Sequence, residues 1–332
     1  MVRMNRKKVM GALLISMGTW PTIGQGNVYT GQIVDSAQIE LKDGDQVTNT
    51  DMGFTIKDTD VSSPGIQLGV GEKIDVDLSL SATPGTSNQA TVIYLKNGKE
   101  NHLGTGTTIT YSDVDTRILN TSAIGLYLDG SGVKANALEI DVSALGRHAV
   151  GIRADNAGAK IDLGAGSTIK AKSTGGFSQG ISLTMGAEFS ATGLRLTSEV
   201  EGTDPARSTP LSATGITMSG SAIANLGTNS VITVTGKTAG EGAYGLSIYD
   251  NSKVIADHLT LTVTSPLEAR AIGVSILSTA ASAKTGSTID FGLGSIVTAK
   301  GYAIKGLSAG GTNSKIIGDS LQVSAEGERS TG

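Results

Sequence analysis

The sequence predicts an all-β protein: a single-stranded, right-handed parallel β-helix with three faces and about nine to ten coils. Three observations support this fold class. A short motif recurs about every 30 residues, the segments between its copies alternate apolar and polar residues, and small side chains dominate the composition, with 46 glycines in 332 residues. One coil of short strands cannot bury its own apolar face, so successive coils must stack on one another.

The recurring motif is a small or polar residue, any residue, a glycine, an aliphatic residue, any residue and usually a second aliphatic residue. The segment ATVIYL fits the same pattern with Val92 in the glycine position. We expect each motif glycine to occupy a backbone position that needs either a positive φ or the close approach of another segment. These glycines are Gly65, Gly125, Gly151, Gly180, Gly215, Gly245, Gly273 and Gly306.

Two further strands follow each motif, and both alternate apolar and polar residues as strands with one buried face do. Glycine, asparagine, aspartate and serine separate the strands and predict turns. The second strand begins at Ile74, Leu103, Val133, Ile161, Phe189, Ile223, Val254, Ile289 and Ile316. The third strand is built on Leu78 and Leu80, Ile109, Leu138 and Ile140, Ile169, Leu194 and Leu196, Ile232 and Val234, Leu259 and Leu261, Ile296, and Leu321 and Val323.

The chain divides into three predicted regions. Residues 1–26 have a basic start and a 12-residue apolar run at 9–20, which is too short for a membrane-spanning helix of about 20 residues and is typical of a signal peptide. A buried N-terminal helix is the alternative. Residues 27–62 predict a cap or first coil, and residues 63–332 predict the β-helix, truncated at its C-terminus. Residues 199–210, with two prolines and four charges, predict a loop outside the coils.

Composition excludes several classes of function. The chain has no cysteine, which rules out disulfides and cysteine-based zinc sites. The net charge is −4 and no block of basic residues occurs, so nucleic-acid binding, which needs clustered lysine and arginine, is disfavoured.

The glycine–aliphatic motifs, and segments such as SKVIADHLTLTVTS at residues 252–265, resemble the passenger region of the pertactin-like autotransporters over about residues 60–325. The resemblance implies a non-enzymatic surface-exposed or secreted protein that acts as an adhesin, an autoaggregation factor or an antigen. Its expected partners are a host-cell surface, a matrix protein or a second copy of the chain.

In that family a C-terminal β-barrel carries the passenger to the cell surface. The aromatic-rich alternating segments of such a barrel do not occur in this sequence, in which aromatic residues make up 4%. We therefore expect a passenger fragment or a truncated gene product. Its expected location is the cell surface, the outer membrane or the extracellular space, or the periplasm if the barrel is truly missing.

Because β-helices also include polysaccharide lyases and hydrolases, the acidic residues need separate consideration. Asn49-Thr50-Asp51 matches one motif of the polygalacturonase-like hydrolases, but the other motifs of those enzymes do not occur. Asp75 and Asp77 could share one face of a strand, and Asp43, Asp45 and Asp51 cluster near glycines. Neither group has a recognised calcium-loop spacing, so turns and solvated faces explain both.

Other motifs also indicate strands and turns of the repeat and not catalytic sites. Residues 176–180 (GFSQG) match G-x-S-x-G, but the segment leads into a motif strand and not into the helix of a nucleophile elbow. The paired glycines at 104/106 and 164/166 precede no helix and predict turns. The fragment GDSL at 318–321 lies in a regular coil. The histidines, His102, His148 and His258, fall in different coils.

No catalytic, cofactor-binding or metal-binding residue is therefore predicted, and no cofactor. The expected function is non-enzymatic binding. A carbohydrate-active β-helix of the lyase or hydrolase type, and an inactive truncated gene product, are the alternatives.

Overall fold

A computed structural model confirms the fold class: the chain is an all-β parallel solenoid of the right-handed type. It describes the backbone of residues 28–30, 34–35, 46–49, 56–58, 73–78, 89–96, 98–113, 122–202, 211–266, 269–277, 286–327 and 329–331, with side chains from residue 91 onward except at 113 and 329–331. Every regular element in these ranges is a β-strand. The described part contains no helix long and apolar enough to cross a membrane.

The thirty strands form three parallel sheets, and successive coils contribute successive strands to each sheet. Sheet A contains β1 (Val28–Thr30), β3 (Gln46–Asn49), β5 (Lys73–Leu78), β8 (Thr108–Asp113), β11 (Glu139–Leu145), β14 (Thr168–Thr174), β17 (Arg195–Glu201), β20 (Val231–Gly236), β23 (Thr260–Thr264), β26 (Ile296–Lys300) and β29 (Gln322–Glu326). Sheet B contains β2 (Val34–Asp35), β4 (Ile56–Asp58), β6 (Gln89–Leu95), β9 (Ser122–Asp129), β12 (His148–Asp155), β15 (Ser178–Leu183), β18 (Ser212–Met218), β21 (Gly242–Tyr249), β24 (Arg270–Leu277), β27 (Ala303–Ala309) and β30 (Arg329–Thr331). Sheet C contains β7 (Glu100–Thr105), β10 (Gly132–Asn136), β13 (Lys160–Ala165), β16 (Glu188–Thr192), β19 (Ile223–Thr228), β22 (Lys253–Asp257), β25 (Thr288–Leu293) and β28 (Lys315–Asp319).

The solenoid has about seven turns, slightly fewer than the nine to ten coils predicted. Sheets A and B have eleven strands each, whereas sheet C has eight. Ile74 accounts for part of the difference. It was predicted in a second strand, but it lies in β5 of sheet A, where it pairs with Ile109.

Aliphatic columns run through the interior along the solenoid axis. On sheet A, each inward residue stands in register with its counterpart in the next coil, and all seven members of one column are fully or almost fully buried. The column consists of Ile109, Ile140, Ile169, Leu196, Ile232, Leu261 and Val297. Since neighbouring coils lie about 4.8 Å apart, each side chain packs on the ones above and below, which is the burial that one coil alone cannot provide.

Two predicted core residues face outward instead. Ile223 is 42% exposed, and Ala224 takes the inward position opposite Phe189. Ile296 is 40% exposed, because Val297 pairs with Leu261 and the period-2 alternation turns Ile296 to the solvent. In both strands the apolar residue precedes the inward one by a single position, so apolarity alone predicts the wrong face.

The motif glycines are explained by close approach and not by a positive φ. None of those at 125, 151, 180, 215, 245, 273 and 306 has a positive φ. A Cβ on Gly151 would lie 2.4 Å from Ile169 Cγ2 of sheet A and 2.6 Å from the carbonyl oxygen of Gly180 in the next coil. The glycine column therefore lets sheets A and B approach each other across the interior. Gly65 lies outside the described residues.

A ladder of buried hydroxyl groups fixes the corner between sheets C and A. Ser167, Ser230 and Ser295 each donate to the carbonyl oxygen four residues earlier, at 3.1, 2.6 and 2.8 Å. Each Oγ also accepts from a backbone N–H of the preceding coil, donated by Leu138, Leu194 and Leu259 respectively, at 3.0, 3.2 and 3.1 Å. The hydroxyl groups thus satisfy buried backbone groups and tie one coil to the next.

The paired glycines predicted to form turns lie in this same corner, and the prediction is confirmed. Gly104 and Gly106 have φ values of 68° and 76°, and Gly164 and Gly166 have values of 54° and 75°. These left-handed conformations carry the chain around the corner without the steric cost that a Cβ would add.

We expect Ser230→Ala to lower the free energy of unfolding by about 2–3 kcal/mol. The substitution leaves the buried N–H of Leu194 and the carbonyl of Leu226 without their partner. Thr233→Ala, on the outer face of β20, the strand that follows Ser230, is the matched control and should cost less than about 1 kcal/mol. Urea denaturation followed by circular dichroism measures both, and equal losses would argue against the hydroxyl ladder.

The predicted loop at residues 199–210 requires a correction. Glu199, Val200 and Glu201 belong to β17, where they pair with Lys172, Ser173 and Thr174 of β14. The charged glutamates point outward while Val200 is fully buried, so the segment keeps the strand alternation despite its polarity. Residues 203–210 lie outside the described residues, as does the predicted signal peptide at 1–26. The predicted cap at 27–62 is described only in strands β1 to β4.

Candidate functional site: a cavity on the outer face of sheet B

Large side chains form a column on the outer face of sheet B. Tyr94, Tyr127 and Arg153 occupy the same outward position in three successive coils, and Ser182 occupies it in the fourth. The two tyrosine rings stack with centroids 4.9 Å apart, and the Arg153 guanidinium carbon lies 5.0 Å from the centroid of Tyr127. The side chains of this column are therefore large up to Arg153 in β12 and small at Ser182 in β15.

Asp155 holds the end of this column in place. Its Oδ2 accepts from Arg153 Nε at 2.8 Å and from the Tyr127 hydroxyl at 3.0 Å, and its Oδ1 accepts from the Thr184 hydroxyl at 2.8 Å. A second ion pair with Arg153 Nη2 spans 2.8 Å. The carboxylate therefore fixes three side chains from three coils, and its charge is compensated by the guanidinium.

A cavity of about 270 Å³ lies beside the column. His148 and Phe177 form one wall, with ring centroids 4.9 Å apart. The Phe177 N–H donates to His148 Nδ1 at 2.9 Å, which fixes the imidazole against the phenyl ring. Arg153 and Asp155 form the opposite wall, and the strands between contribute small apolar and polar groups, including Val150, Gln179 and Ser182.

Neighbouring groups shift the pKa values of Asp129 and Arg153 in the directions that favour their charged forms. The hydrogen bond from Lys96 holds the pKa of Asp129 below its ordinary value. Burial alone would lower the pKa of Arg153, but the hydrogen bond and charge of Asp155 outweigh it and raise that pKa. Burial, followed by the charge of Asp155, raises the pKa of Tyr127 to about 12.

We expect Tyr127 to lose its proton about two pH units later than an unfolded tyrosine. A raised pKa means that the fold favours the neutral phenol, so its contribution to stability is complete below pH 10 and is lost as the pH rises from about 10 to about 12. Ultraviolet titration of tyrosinate should show a late step that Tyr127→Phe removes. A variant that instead removes a step near pH 10 would contradict this environment.

The G-x-S-x-G segment does not form an exposed nucleophile. Ser178 is fully buried, donates to the carbonyl oxygen of Ala171 at 2.8 Å and shares a hydrogen bond of 2.9 Å with Ser198. The segment enters β15, as the repeat predicts. Its neighbour Phe177 is the residue that faces the cavity.

The other polar motifs are dispersed. Across the described residues, no group of three or more histidine, aspartate or glutamate side chains comes together in the manner of metal ligands. His102 faces Glu100 at 3.3 Å, His258 occupies a corner with a φ of 51°, and only His148 lies at the cavity. Asp75 and Asp77 stand opposite Thr110 and Ser112 of β8. Asp43, Asp45, Thr50 and Asp51 lie outside the described residues.

A charged cluster on sheet A is neutralised within itself. Glu199 Oε1 contacts Lys172 Nζ at 3.1 Å and Lys237 Nζ at 2.7 Å, and Glu201 contacts the same two lysines at 3.3 and 3.7 Å. Burial alone would raise the pKa of Glu199, but the two lysines outweigh it and lower that pKa. Because the four charges compensate one another, the cluster is a weaker candidate for a binding site than the cavity.

Sequence reasoning named no residue of the cavity as a site. A signal existed in the coil alignment, because the residue two positions after each motif glycine, or after Val92 in the glycine position, is tyrosine at 94 and 127, arginine at 153 and serine at 182. An aromatic pair at an outward position stands out in a chain with only 4% aromatic residues. The opposing wall gave no such signal, because His148 is the first residue of β12 and Phe177 lies in the corner that precedes β15.

The chain was compared with known proteins at three levels. A scan against protein-family models, a search of curated proteins and a search of solved structures each returned no match.

Proposed function

We propose that this protein is a non-enzymatic binding rod, of the kind found in the passenger regions of pertactin-like autotransporters. In this proposal residues 1–26 export the chain, and the solenoid acts at the cell surface or outside the cell in adhesion, autoaggregation or as an antigen. The cavity on the outer face of sheet B is the observation that supports it best. It is a concave site of aromatic and polar side chains on a rod whose interior is filled by aliphatic residues.

The chemistry of the cavity favours binding over catalysis. A glycosidase needs one carboxyl group with a raised pKa as the acid and a second as the base or nucleophile. Asp155 already accepts from three side chains, and Lys96 lowers the pKa of the neighbouring Asp129. These contacts suit carboxylates that hold other side chains in position.

Beads coated with the purified protein test the proposal. We expect saturable attachment to cultured epithelial cells or to immobilised matrix proteins, or concentration-dependent self-association in sedimentation. Albumin-coated beads are the control. The proposal fails if the protein binds neither cells, nor matrix, nor itself, and it also fails if the protein releases reducing sugar from pectin or another polysaccharide.

A further inference from the structure

We propose that the cavity between β12 and β15 binds one neutral pyranose ring of a glycan. This inference deepens the proposed function by naming its ligand class, and it rests on that function. It is carried by the size of the cavity, by the apolar and polar side chains that both line it, and by the compensation of its charges.

The size of the cavity suits a single ring. Its volume of about 270 Å³ lies just below the range of about 300–1,000 Å³ that is common for sites of drug-sized ligands. The space exists because Ser182 follows Tyr127 and Arg153 in the outward column. Arg153, the last bulky member of the column, lines the cavity, so a ring that enters from the solvent can contact the guanidinium.

The lining offers both kinds of surface that a sugar needs. Phe177 and Val150 offer an aromatic ring and an aliphatic side chain, on which the C–H face of a pyranose can pack, since the face of an aromatic ring carries partial negative charge. Gln179, Ser182 and Thr184 offer amide and hydroxyl groups for the ring hydroxyls. A flat aromatic ligand would not use so many hydroxyl partners.

The polar groups are already held in place. Gln179 Nε2 donates to Thr217 Oγ1 at 3.3 Å, and the Thr184 hydroxyl donates to Asp155 at 2.8 Å. Because these side chains have fixed partners, less conformational entropy is lost when a ligand binds.

The charge at the cavity favours a neutral sugar over an acidic one. Arg153 and Asp155 are the charged residues that line it, and they form an ion pair of 2.8 Å. A carboxylate or phosphate on the ligand would have to compete with Asp155 for the guanidinium. A hydroxyl group can donate to Asp155 or accept from Arg153 without breaking the pair.

Saturation-transfer difference NMR with the full chain tests this inference. The probes are glucose, galactose, mannose, N-acetylglucosamine and fucose, each titrated separately. We expect at least one to give a saturable signal. Ser182→Tyr fills the cavity by extending the tyrosine column and should abolish that signal, and Phe177→Ala should weaken binding about three- to tenfold.

Ser308→Tyr is the matched control, because Ser308 occupies the same outward column four coils further along. It should bind as the wild type does, and circular dichroism should show that both tyrosine variants remain folded. The inference is overturned if no sugar gives a saturable signal with the wild type, or if Ser182→Tyr binds as well as Ser308→Tyr does.

Cell binding separates this inference from the proposed function. If beads coated with the wild type bind cells but no sugar binds the cavity, the sugar site is wrong and the adhesive function stands. Mild periodate oxidation of the cells destroys sugar diols, so it should abolish attachment if the glycan lies on the host cell. Purified bacterial polysaccharide is assayed separately as the other source of the glycan. Sugar binding without any attachment overturns the adhesive function alone.

Discussion

Gly180→Ala is expected to lower the free energy of unfolding by about 3 kcal/mol, the upper end of the usual cost of overpacking. A Cβ at this position would lie 2.6 Å from Leu196 Cδ2 and 2.7 Å from the carbonyl oxygen of Gly215. The leucine could shift, but the carbonyl belongs to the backbone of the next coil. Relief of the clash therefore requires the coils to separate.

Gly310→Ala is the matched control for this substitution. A Cβ on Gly310 would meet its nearest atom, the carbonyl oxygen of Ile276, at an ordinary 3.6 Å, and its φ is not positive. Alanine should leave stability unchanged or raise it by up to about 1 kcal/mol, because it restricts the unfolded chain. Urea denaturation compares the two variants, and equal stability would contradict the close approach of sheets A and B.

The second large effect concerns two phenylalanines with opposite roles. Phe291 is fully buried, and we expect Phe291→Ala to cost about 3–5 kcal/mol through lost burial and the cavity left behind. Phe177 is partly exposed at the cavity wall, so Phe177→Ala should cost about 1 kcal/mol or less. Thermal and urea denaturation measure the difference, and a reversed order would show that the inside and outside of the coils are assigned wrongly.

The fold could be predicted because its main determinants are local and repeated. Each coil carries a glycine motif and alternating strands, and stacking is the one arrangement that buries all of the apolar faces. The role of the glycines was only half resolved by sequence, since a lone glycine indicates either a positive φ or a close contact. The choice between them depends on Ile169 and Leu196, which stand opposite the glycines across the interior.

Residues were assigned to the wrong face where a shift of one position along the strand decides whether a side chain points inward or outward. Ile223 and Ile296 are apolar residues beside an inward position, and only pairing with the neighbouring coil shows that they face outward. Ile74 was assigned to the wrong sheet, because only its pairing with Ile109 shows that its strand belongs to sheet A. Apolar character locates a strand, but the lengths of the preceding corners determine its face and its sheet.

The cavity could not be predicted for a related reason. Its walls combine Arg153 and Asp155 of one coil with Phe177, Gln179 and Ser182 of the next, and the intervening coil length sets which of them become neighbours. Counting from the motif glycines aligns the outward column, but successive motifs lie at unequal spacings, so sequence alone does not place the corner residue Phe177 beside it. The buried serines of the corner ladder escaped notice because serine in a turn usually indicates solvent exposure.

The central claim is that the cavity on sheet B is the binding site. Cell attachment by two variants that each gain one tyrosine tests it most directly. Ser182→Tyr fills the cavity on sheet B, and Thr262→Tyr adds the same side chain to the outer face of sheet A, where Thr262 lies between Thr233 and Thr298. We expect beads coated with the wild type or with Thr262→Tyr to attach to cells equally, and beads coated with Ser182→Tyr to lose attachment. Attachment that survives Ser182→Tyr but is lost in Thr262→Tyr would contradict a binding site on sheet B.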